Sequence, residues 1–198
     1  DQIKVVRADG ATAQGGEGDD NIEIGSSTKL NGAGSRAKST VDNSSVNGGQ
    51  NDDLITVLAA ADLTKSTING GKGNDTLVIE GSLTGDPGLG EAASSANFAS
   101  TSLSNTGGGN DKIHIAEGAT LVNTLVNANA DRDVITYAQE AIDDVVGYDE
   151  TDVYKNISPL ESAEGSIIAA GKGNDHVSVA AAGALTVRGG KGDDKLRV

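Results

Sequence analysis

Seven segments of the chain share one pattern of apolar and polar positions. In each segment, apolar residues stand two and four positions after an aspartate, as in DTLVI from Asp75 to Ile79. The residues two after the aspartate are Ile22, Ile55, Leu77, Ile113, Ile135, Val177 and Leu196, and those four after it are Ile24, Val57, Ile79, Ile115, Tyr137, Val179 and Val198. Alternation with period two, mostly by β-branched residues, predicts a short strand with one buried face after each aspartate.

A second strand is predicted before each aspartate. Seven residues before it stand Ala13, Val46, Ile68, Val126, Ile168 and Val187, with Ser104 as the exception. Two and four residues before it stand only Gly, Asn or Asp, which tolerate positive φ and favour a tight turn. The same unit of strand, tight turn and strand is therefore predicted even before Asp133, where no glycine occurs.

Polar residues also recur at fixed distances from the aspartate, and each such set of equivalent positions is called a column. Nine residues before the aspartate the chain repeats Ser44, Ser66, Ser102, Thr124 and Ser166, and six before it Asn47, Asn69, Asn105 and Asn127. Identical residues in one column are expected to stack as hydrogen-bonded ladders when successive units lie in register. The residue directly before the aspartate, such as Asp19, Asp52 or Asn74, is expected to face solvent and to hydrogen-bond the turn.

Repetition of this unit predicts an all-β fold, a right-handed parallel β-solenoid that forms a single domain over residues 1–198. Successive aspartates are separated by 33, 22, 36, 22, 42 and 19 residues, and halving the long intervals gives about 19 residues per coil. In one interpretation the long intervals hide degenerate coils, with Arg36, Ala92 and Asp152 in the aspartate column. In the other, residues 25–40, 83–98 and 138–160 are surface insertions.

The composition of the chain limits the classes of function that it can have. The net charge of -14 argues against nucleic acid as a partner and favours cations. One Phe, three Tyr and no Trp leave few rings for a ligand pocket, and the absence of Cys excludes disulfides and thiolate metal sites. No apolar run approaches the ~18 residues of a membrane span. A chain that begins at Asp1 without any Met is expected to be part of a longer protein.

The turn and the strand after it carry a specific resemblance. The segments at Asp20, Asp75 and Asp194 match GGxGxDxUx, where U is aliphatic, and those at Asp53 and Asp111 depart at one glycine, as does the segment at Asp175. This nonapeptide resembles the repeat of the repeats-in-toxin, or hemolysin-type calcium-binding, family. The segment at Asp133 departs most.

The resemblance implies Ca²⁺ held between stacked turns by aspartates and main-chain carbonyls, and a hard cation does prefer six to eight oxygens. The implied carboxylate ligands are Asp20, Asp53, Asp75, Asp111, Asp133, Asp175 and Asp194. The implied carbonyl ligands are those of Gly16, Gly18, Gly49, Asn51, Gly71, Gly73, Gly107, Gly109, Gly171, Gly173, Gly190 and Gly192.

Family members usually carry nonapeptides in tandem, on both edges of a β-roll, whereas each unit here has one. Calcium is therefore expected along a single edge of a β-roll-like solenoid, with loops such as AAADLTK after Val57 and AAAGA after Val179 on the other edge. The pairs that are closest in sequence are expected to give the best sites, namely Asp53 with Asp75, Asp111 with Asp133, and Asp175 with Asp194.

No catalytic motif accompanies the repeat, and the two histidines, His114 and His176, fall at strand positions expected to face outward, so no enzyme is expected. The leading expectation is an extracellular or cell-surface structural protein, from a surface layer, adhesin or filament, whose subunits self-associate through a strand edge. A virion fibre or decoration protein, located on the virion surface, is one alternative. A calcium-folded accessory domain of a secreted enzyme is another.

Overall fold

The computed structural model describes residues 1–26, 38–84, 96–99, 109–122, 124–128, 130–137, 163, 165–179 and 184–198. Its strands, numbered in chain order, belong to three sheets named A, B and C. Sheet A contains, in spatial order, β1 (Gln2–Val5), β4 (Asn21–Ile24), β7 (Leu54–Val57), β10 (Thr76–Ile79), β13 (Lys112–Ile115), β16 (Val134–Tyr137), β18 (His176–Ser178) and β20 (Lys195–Arg197).

The chain alternates between sheet A and the other two sheets. Sheet B contains β2 (Ala8–Asp9), β5 (Ser39–Asp42), β8 (Ala61–Thr64), β11 (Ser82–Thr84) and β14 (Thr120–Val122). Sheet C contains β3 (Thr12–Glu17), β6 (Ser45–Gln50), β9 (Ser66–Lys72), β12 (Ala96–Ala99), β15 (Leu125–Asn127), β17 (Ser166–Lys172) and β19 (Leu185–Lys191). All pairings are parallel, and no helix occurs among the described residues. The fold is therefore all-β, with long parallel sheets that are compatible with a β-solenoid.

The predicted strands on both sides of the motif turn are confirmed, with one correction: the strand before Asp111 is β12, in which Phe98, and not Ser104, lies in register with Ile68 and Val126. Sheet A follows the motif aspartates and sheet C precedes them, and the predicted apolar columns form the core between the sheets. Two residues after the aspartate, the exposed fraction of the side chain is at most 1% at Ile22, Ile55 and Ile113. Seven residues before the aspartate, it is 1% at Val46 and at Ile68. The described core thus consists of thin, mainly aliphatic layers, to which Tyr137 adds an aromatic ring.

Sheet B was not predicted, because the sequence analysis expected two strands per unit joined by loops on the other edge. The stretch AAADLTK, expected as a loop, contains β8, in which Ala61 and Leu63 are fully buried. Leu63 lies in register with Val41 and Leu83, so a third apolar column belongs to the core. The strands of sheet B are only two to four residues long, which makes their alternation a weak sequence signal. Of AAAGA after Val179, only Ala184 is among the described residues.

A coil of 19 residues throughout is also wrong. In sheet A β4 pairs directly with β7, β10 with β13 and β16 with β18, although 33, 36 and 42 residues separate the corresponding aspartates. A hidden coil would have placed another strand between them. The insertion interpretation agrees with this register, but the expected bounds 25–40 and 83–98 are too wide, because they include residues of β5, β11 and β12. Arg36, Ala92 and Asp152 lie outside the described residues.

The column of serine and threonine stacks as predicted where it is described, except that Ala96 stands in register with Ser66. The predicted asparagine ladder is not formed, because Asn47 and Asn69 lie in register but Oδ1 of each is buried without a hydrogen-bond partner. The Ser44 N–H donates to Ser66 Oγ at 3.2 Å, and the Thr124 N–H donates to Ser166 Oγ at 3.1 Å. These hydroxyls are buried and donate in turn to main-chain carbonyls, as Ser66 does to Thr64 at 2.9 Å.

The part of the chain that the structure describes contains no helix long and apolar enough to cross a membrane.

Candidate cation-binding site

The motif aspartates form one continuous ladder along the corner between sheets C and A. Asp20, Asp53, Asp75, Asp111, Asp133 and Asp175 are at most 3% exposed, and Asp194 is half-buried. Each main-chain N–H donates to Oδ1 of the aspartate in the next unit. The distances are 2.8 Å from Asp20 to Asp53, 3.0 Å from Asp53 to Asp75, 2.8 Å from Asp75 to Asp111, 2.9 Å from Asp111 to Asp133, 3.0 Å from Asp133 to Asp175 and 3.2 Å from Asp175 to Asp194.

This aspartate ladder does not favour the three pairs that are closest in sequence. Asp20 meets Asp53, and Asp133 meets Asp175, through the same hydrogen bond as the expected pairs. The segment at Asp133 is in register as well, although it lacks glycine. Asp131 supplies the left-handed turn residue there with φ of 78°, the value that Asn51 also has. All consecutive pairs are therefore equivalent neighbours.

Positive φ occurs at most of the predicted turn positions. Those positions are Gly16, Gly18, Gly49, Gly71, Gly73, Gly171, Gly173, Gly190 and Gly192, together with Asn51 and Asp131. Gly109 is not among the residues with positive φ, and Gly107 and Asn129 lie outside the described residues.

An eighth unit precedes the seven that the motif reveals. Gln2 pairs with Asn21 in sheet A, so Asp1 stands before β1 as Asp20 stands before β4. The Asp1 ammonium lies 2.7 Å from Asp20 Oδ1, where a main-chain N–H lies in the other units. The sequence signal was present, since Ile3 and Val5 stand two and four residues after Asp1.

The second carboxylate oxygen of a motif aspartate, Oδ2, is the one that could bind a cation. Oδ2 of Asp53, Asp75, Asp133 and Asp175 is buried and has no hydrogen-bond partner. At Asp53 and Asp75 it lies against the first glycine of the turn, because a Cβ added at Gly48 would collide with Asp53 Oδ2 and one added at Gly70 with Asp75 Oδ2. Before Asp133 and Asp175 the equivalent residues are Ala128 and Ala170. All four carboxylate oxygens are thus buried in the corner without a hydrogen-bond partner.

Burial raises the pKa of these carboxyl groups. The pKa rises to about 6 at Asp53, to about 7 at Asp75 and to about 9 at Asp133, and burial also raises the pKa of Asp175. The N–H of the preceding aspartate lowers each of these pKa values, and neighbouring carboxylates raise them again. A row of buried anions is unfavourable, so either protons or a cation must compensate it.

A second, exposed ladder runs beside the first in the opposite sense. The Asn74 N–H donates to Asp52 Oδ1 at 2.8 Å, and the Asn110 N–H donates to Asn74 Oδ1 at 2.9 Å. This confirms that the residue before the motif aspartate faces solvent and hydrogen-bonds the neighbouring turn. Arg132 has no side-chain acceptor and cannot extend this ladder.

Among the described residues, no group of three or more His, Cys, Asp or Glu side chains converges as a metal site. A cation at the aspartate ladder would therefore need turn carbonyls as ligands, which is the donor set that Ca²⁺ accepts.

His114 and His176 lie at outward strand positions, and burial lowers the pKa of both. His114 Nδ1 lies 3.1 Å from Thr136 Oγ1.

Comparisons of the chain with models of protein families, with curated proteins and with solved structures found no match. Its function has to be inferred from its own residues.

Proposed function

We propose that the chain is a calcium-binding, right-handed β-solenoid of the repeats-in-toxin type, whose motif turns hold Ca²⁺ along one corner. The observation that carries the proposal is the row of buried, unpartnered Oδ2 atoms at Asp53, Asp75, Asp133 and Asp175. Carboxylate and carbonyl oxygens at a glycine turn suit a hard cation. The residues that would hold it are the motif aspartates and the turn carbonyls, which now include those of the Asp133 segment.

Charge balance supports the same proposal. The chain has a net charge of -14, and each divalent cation would offset two negative charges that otherwise repel one another along the corner. Ligands that come from different repeat units are brought together only on folding, so binding would stabilise the folded state. The competing chemistry is protonation, in which neutral carboxyl groups form the ladder without a metal.

An extracellular structural role follows from this chemistry. Extracellular calcium modules commonly have dissociation constants of roughly 10⁻⁴ to 10⁻³ M, which match calcium concentrations outside cells better than inside them. The repeated strands would give a stiff element of a surface layer, adhesin or filament that associates with other subunits. Calcium would stiffen it by joining successive turns.

The deciding experiment compares D75N with D52N during a calcium titration followed by circular dichroism and calorimetry. D75N keeps an oxygen that accepts the Asp53 N–H, so it preserves the ladder hydrogen bond but removes the buried charge. D52N is the matched control, because Asp52 is exposed and bonds the Asn74 N–H. In chelator we expect D75N to be at least as stable as the parent chain.

In the presence of calcium, the parent chain should be more stable than D75N if the proposal is correct. The parent chain and D52N should gain stability with calcium, whereas D75N should gain less and bind fewer ions. Magnesium, which demands a tighter octahedral geometry, should substitute poorly. Equal calcium responses of D75N and the parent chain would leave the protonated ladder as the explanation and would refute calcium binding at this corner.

A further inference from the structure

The motif turns differ in the residue that stands five positions before the aspartate. This residue is a glycine before Asp20, Asp53 and Asp75, and an alanine before Asp133 and Asp175. The glycines are Gly15, Gly48 and Gly70, and the alanines, both fully buried in the core, are Ala128 and Ala170. We call the first three turns glycine rungs and the last two alanine rungs. The equivalent residue before Asp111 lies outside the described residues.

In a glycine rung, oxygens from two successive units approach the same point. A Cβ added at Gly48 would collide with Asp53 Oδ2 and with the carbonyl oxygen of Gly70. A Cβ added at Gly15 would likewise collide with Asp20 Oδ2 and with the carbonyl oxygen of Gly48. Both oxygens therefore lie beside the hydrogen that glycine has in place of a side chain. A carboxylate oxygen and a carbonyl oxygen in this arrangement repel each other unless a positive charge or a proton compensates them.

An alanine rung cannot have this arrangement, because a methyl group occupies the point at which the two oxygens meet. Carbon and oxygen atoms that are not bonded do not approach so closely, so Oδ2 of Asp133 and of Asp175 must lie farther from the turn. The other oxygen behaves alike in both kinds of rung. The Asp133 N–H donates to Asp175 Oδ1 at 3.0 Å, as the Asp20 N–H does to Asp53 Oδ1 at 2.8 Å. The two kinds of rung thus share the ladder hydrogen bond and differ at Oδ2.

We infer that the residue five positions before the motif aspartate divides the calcium sites into two classes, with strong sites at the glycine rungs and weak sites at the alanine rungs. The inference rests on the proposed function, since it concerns how tightly each rung holds the ion. A glycine rung offers Ca²⁺ a carboxylate oxygen and a carbonyl oxygen from successive turns. A methyl group offers no ligand, separates these two oxygens and places an apolar surface beside the charge.

The same geometry separates two kinds of departure from the repeated motif. Asn51 replaces the glycine two positions before Asp53, but its φ of 78° keeps the left-handed turn, and Gly48 is retained. Ala170 replaces the glycine five positions before Asp175, which is the one beside Oδ2. The first departure should therefore leave a strong site, whereas the second should weaken the site.

The first test removes a methyl group in A170G and measures calcium binding by isothermal titration calorimetry. A170G should convert one weak site into a strong one, with an affinity about tenfold higher, because Asp175 Oδ2 and the Gly189 carbonyl can then approach each other. In chelator the same variant should unfold at a lower urea concentration than the parent chain, since a fully buried methyl group is lost. A residue with a purely structural role would lower stability without raising the affinity for calcium.

Two control variants accompany A170G. Ala61 is also fully buried on a strand, but that strand is β8 of sheet B, so A61G should lower stability in chelator without adding a strong site. The double variant A170G/D175N keeps the added space and the oxygen that accepts the ladder hydrogen bond, but it lacks the carboxylate charge. It should lose the strong site that A170G gains.

The second test compares D53N with D175N and does not depend on the folding of A170G. Asparagine keeps an oxygen for the ladder hydrogen bond at both positions. D53N should reduce the number of strong sites by one, whereas D175N should reduce only the number of weak sites. Circular dichroism in calcium checks that each variant is folded.

The outcomes separate this inference from the proposed function. Calcium binding by A170G that equals that of the parent chain would overturn the inference, and so would an equal gain in A61G or a gain that persists in A170G/D175N. Equal losses of strong sites in D53N and D175N would overturn it as well. In these cases the parent chain still binds calcium, so the proposed function stands. A parent chain that binds no calcium would refute the proposed function and the inference together.

Discussion

Each motif aspartate has two structurally distinct oxygens. Asp53 Oδ1 accepts the Asp20 N–H at 2.8 Å, while Asp53 Oδ2 is buried without a partner. The first oxygen accounts for the stacking of turns, and the second lies where a side chain at Gly48, five residues earlier, would collide with it. One residue therefore connects the register of the units with the proposed cation chemistry.

Gly48 should be intolerant of a side chain, although Ala128 and Ala170 occupy the equivalent position before Asp133 and Asp175. Gly48 does not have positive φ, so G48A would not strain the backbone but would force Cβ into Asp53 Oδ2 and the Gly70 carbonyl. We expect a loss of about 3 kcal/mol in the free energy of unfolding, measured in urea. The control is G10A, where φ is 63° and nothing lies within 4 Å, and which should cost about 1 kcal/mol. Equal losses would contradict the steric role of Gly48.

The raised pKa values predict an unusual pH dependence without calcium. The pKa of these aspartates is higher in the folded chain than its ordinary value of 3.8, so the folded state binds more protons. The stabilising contribution is complete below about pH 4 and is lost as pH rises through about 6 at Asp53, 7 at Asp75 and 9 at Asp133. Thermal unfolding in chelator should therefore show stability falling from pH 4 to pH 9.

Calcium should oppose this fall, because deprotonated carboxylates bind it best. The variant D133N should flatten the upper part of the chelator profile, between about pH 8 and 9. A chelator profile in which stability rises over this range would contradict the burial of ionisable ladder groups.

At the scale of strands and corners, the residue at the corner before sheet C is left-handed in four described units, although not at Ala184. Gly10, Asn43, Lys65 and Gly165 have φ of 63°, 47°, 47° and 67°. Glycine and asparagine adopt this conformation readily, whereas lysine does so at a cost. Lys65 is therefore the least suitable residue at a corner that the fold repeats.

Replacing Lys65 by Asn should stabilise the chain. We expect K65N to raise the free energy of unfolding by about 0.5 to 1 kcal/mol, because Asn tolerates positive φ better than Lys does. K72N is the matched control, since Lys72 is exposed at the end of β9 and is not among the residues with positive φ. A gain of the same size in K72N would attribute the effect to charge and not to the backbone.

The elements differ in how readily the sequence reveals them. Sheets A and C could be predicted because their inner residues stand at fixed distances from a motif aspartate, except in β12, where Phe98 stands thirteen residues before Asp111. The inner residue of sheet B also stands twelve residues before the aspartate at Val41, Leu63 and Leu121, but Leu83 stands 28 before Asp111. Strands of two to four residues, interrupted in this way, give little periodicity to detect.

Register across the long intervals could not be predicted for a different reason. Loop-closure entropy rises only slowly with loop length, so 42 residues between Asp133 and Asp175 hardly weaken their pairing relative to 19. Sequence separation therefore does not reveal which aspartates are neighbours. For the same reason the closest pairs in sequence were a poor guide to the candidate site.

At the scale of the whole molecule, stability should depend on position in the stack. Each unit contacts mainly the units before and after it, so an interior residue supports two interfaces. Ile113 is 1% exposed and pairs in register with Leu77 on one side and Ile135 on the other. Leu196 is 46% exposed and pairs only with Val177 among the described residues.

The same kind of truncation should therefore have unequal effects at these two sites. I113A should lower the free energy of unfolding by about 3 kcal/mol, because it leaves a cavity between two layers of the core. L196A should cost less than about 1 kcal/mol, since half of the side chain is already in water. Urea unfolding in calcium, at concentrations below those at which copies associate, measures both. Similar losses in the two variants would mean that the units do not stabilise one another through the core, and the solenoid proposal would then fail.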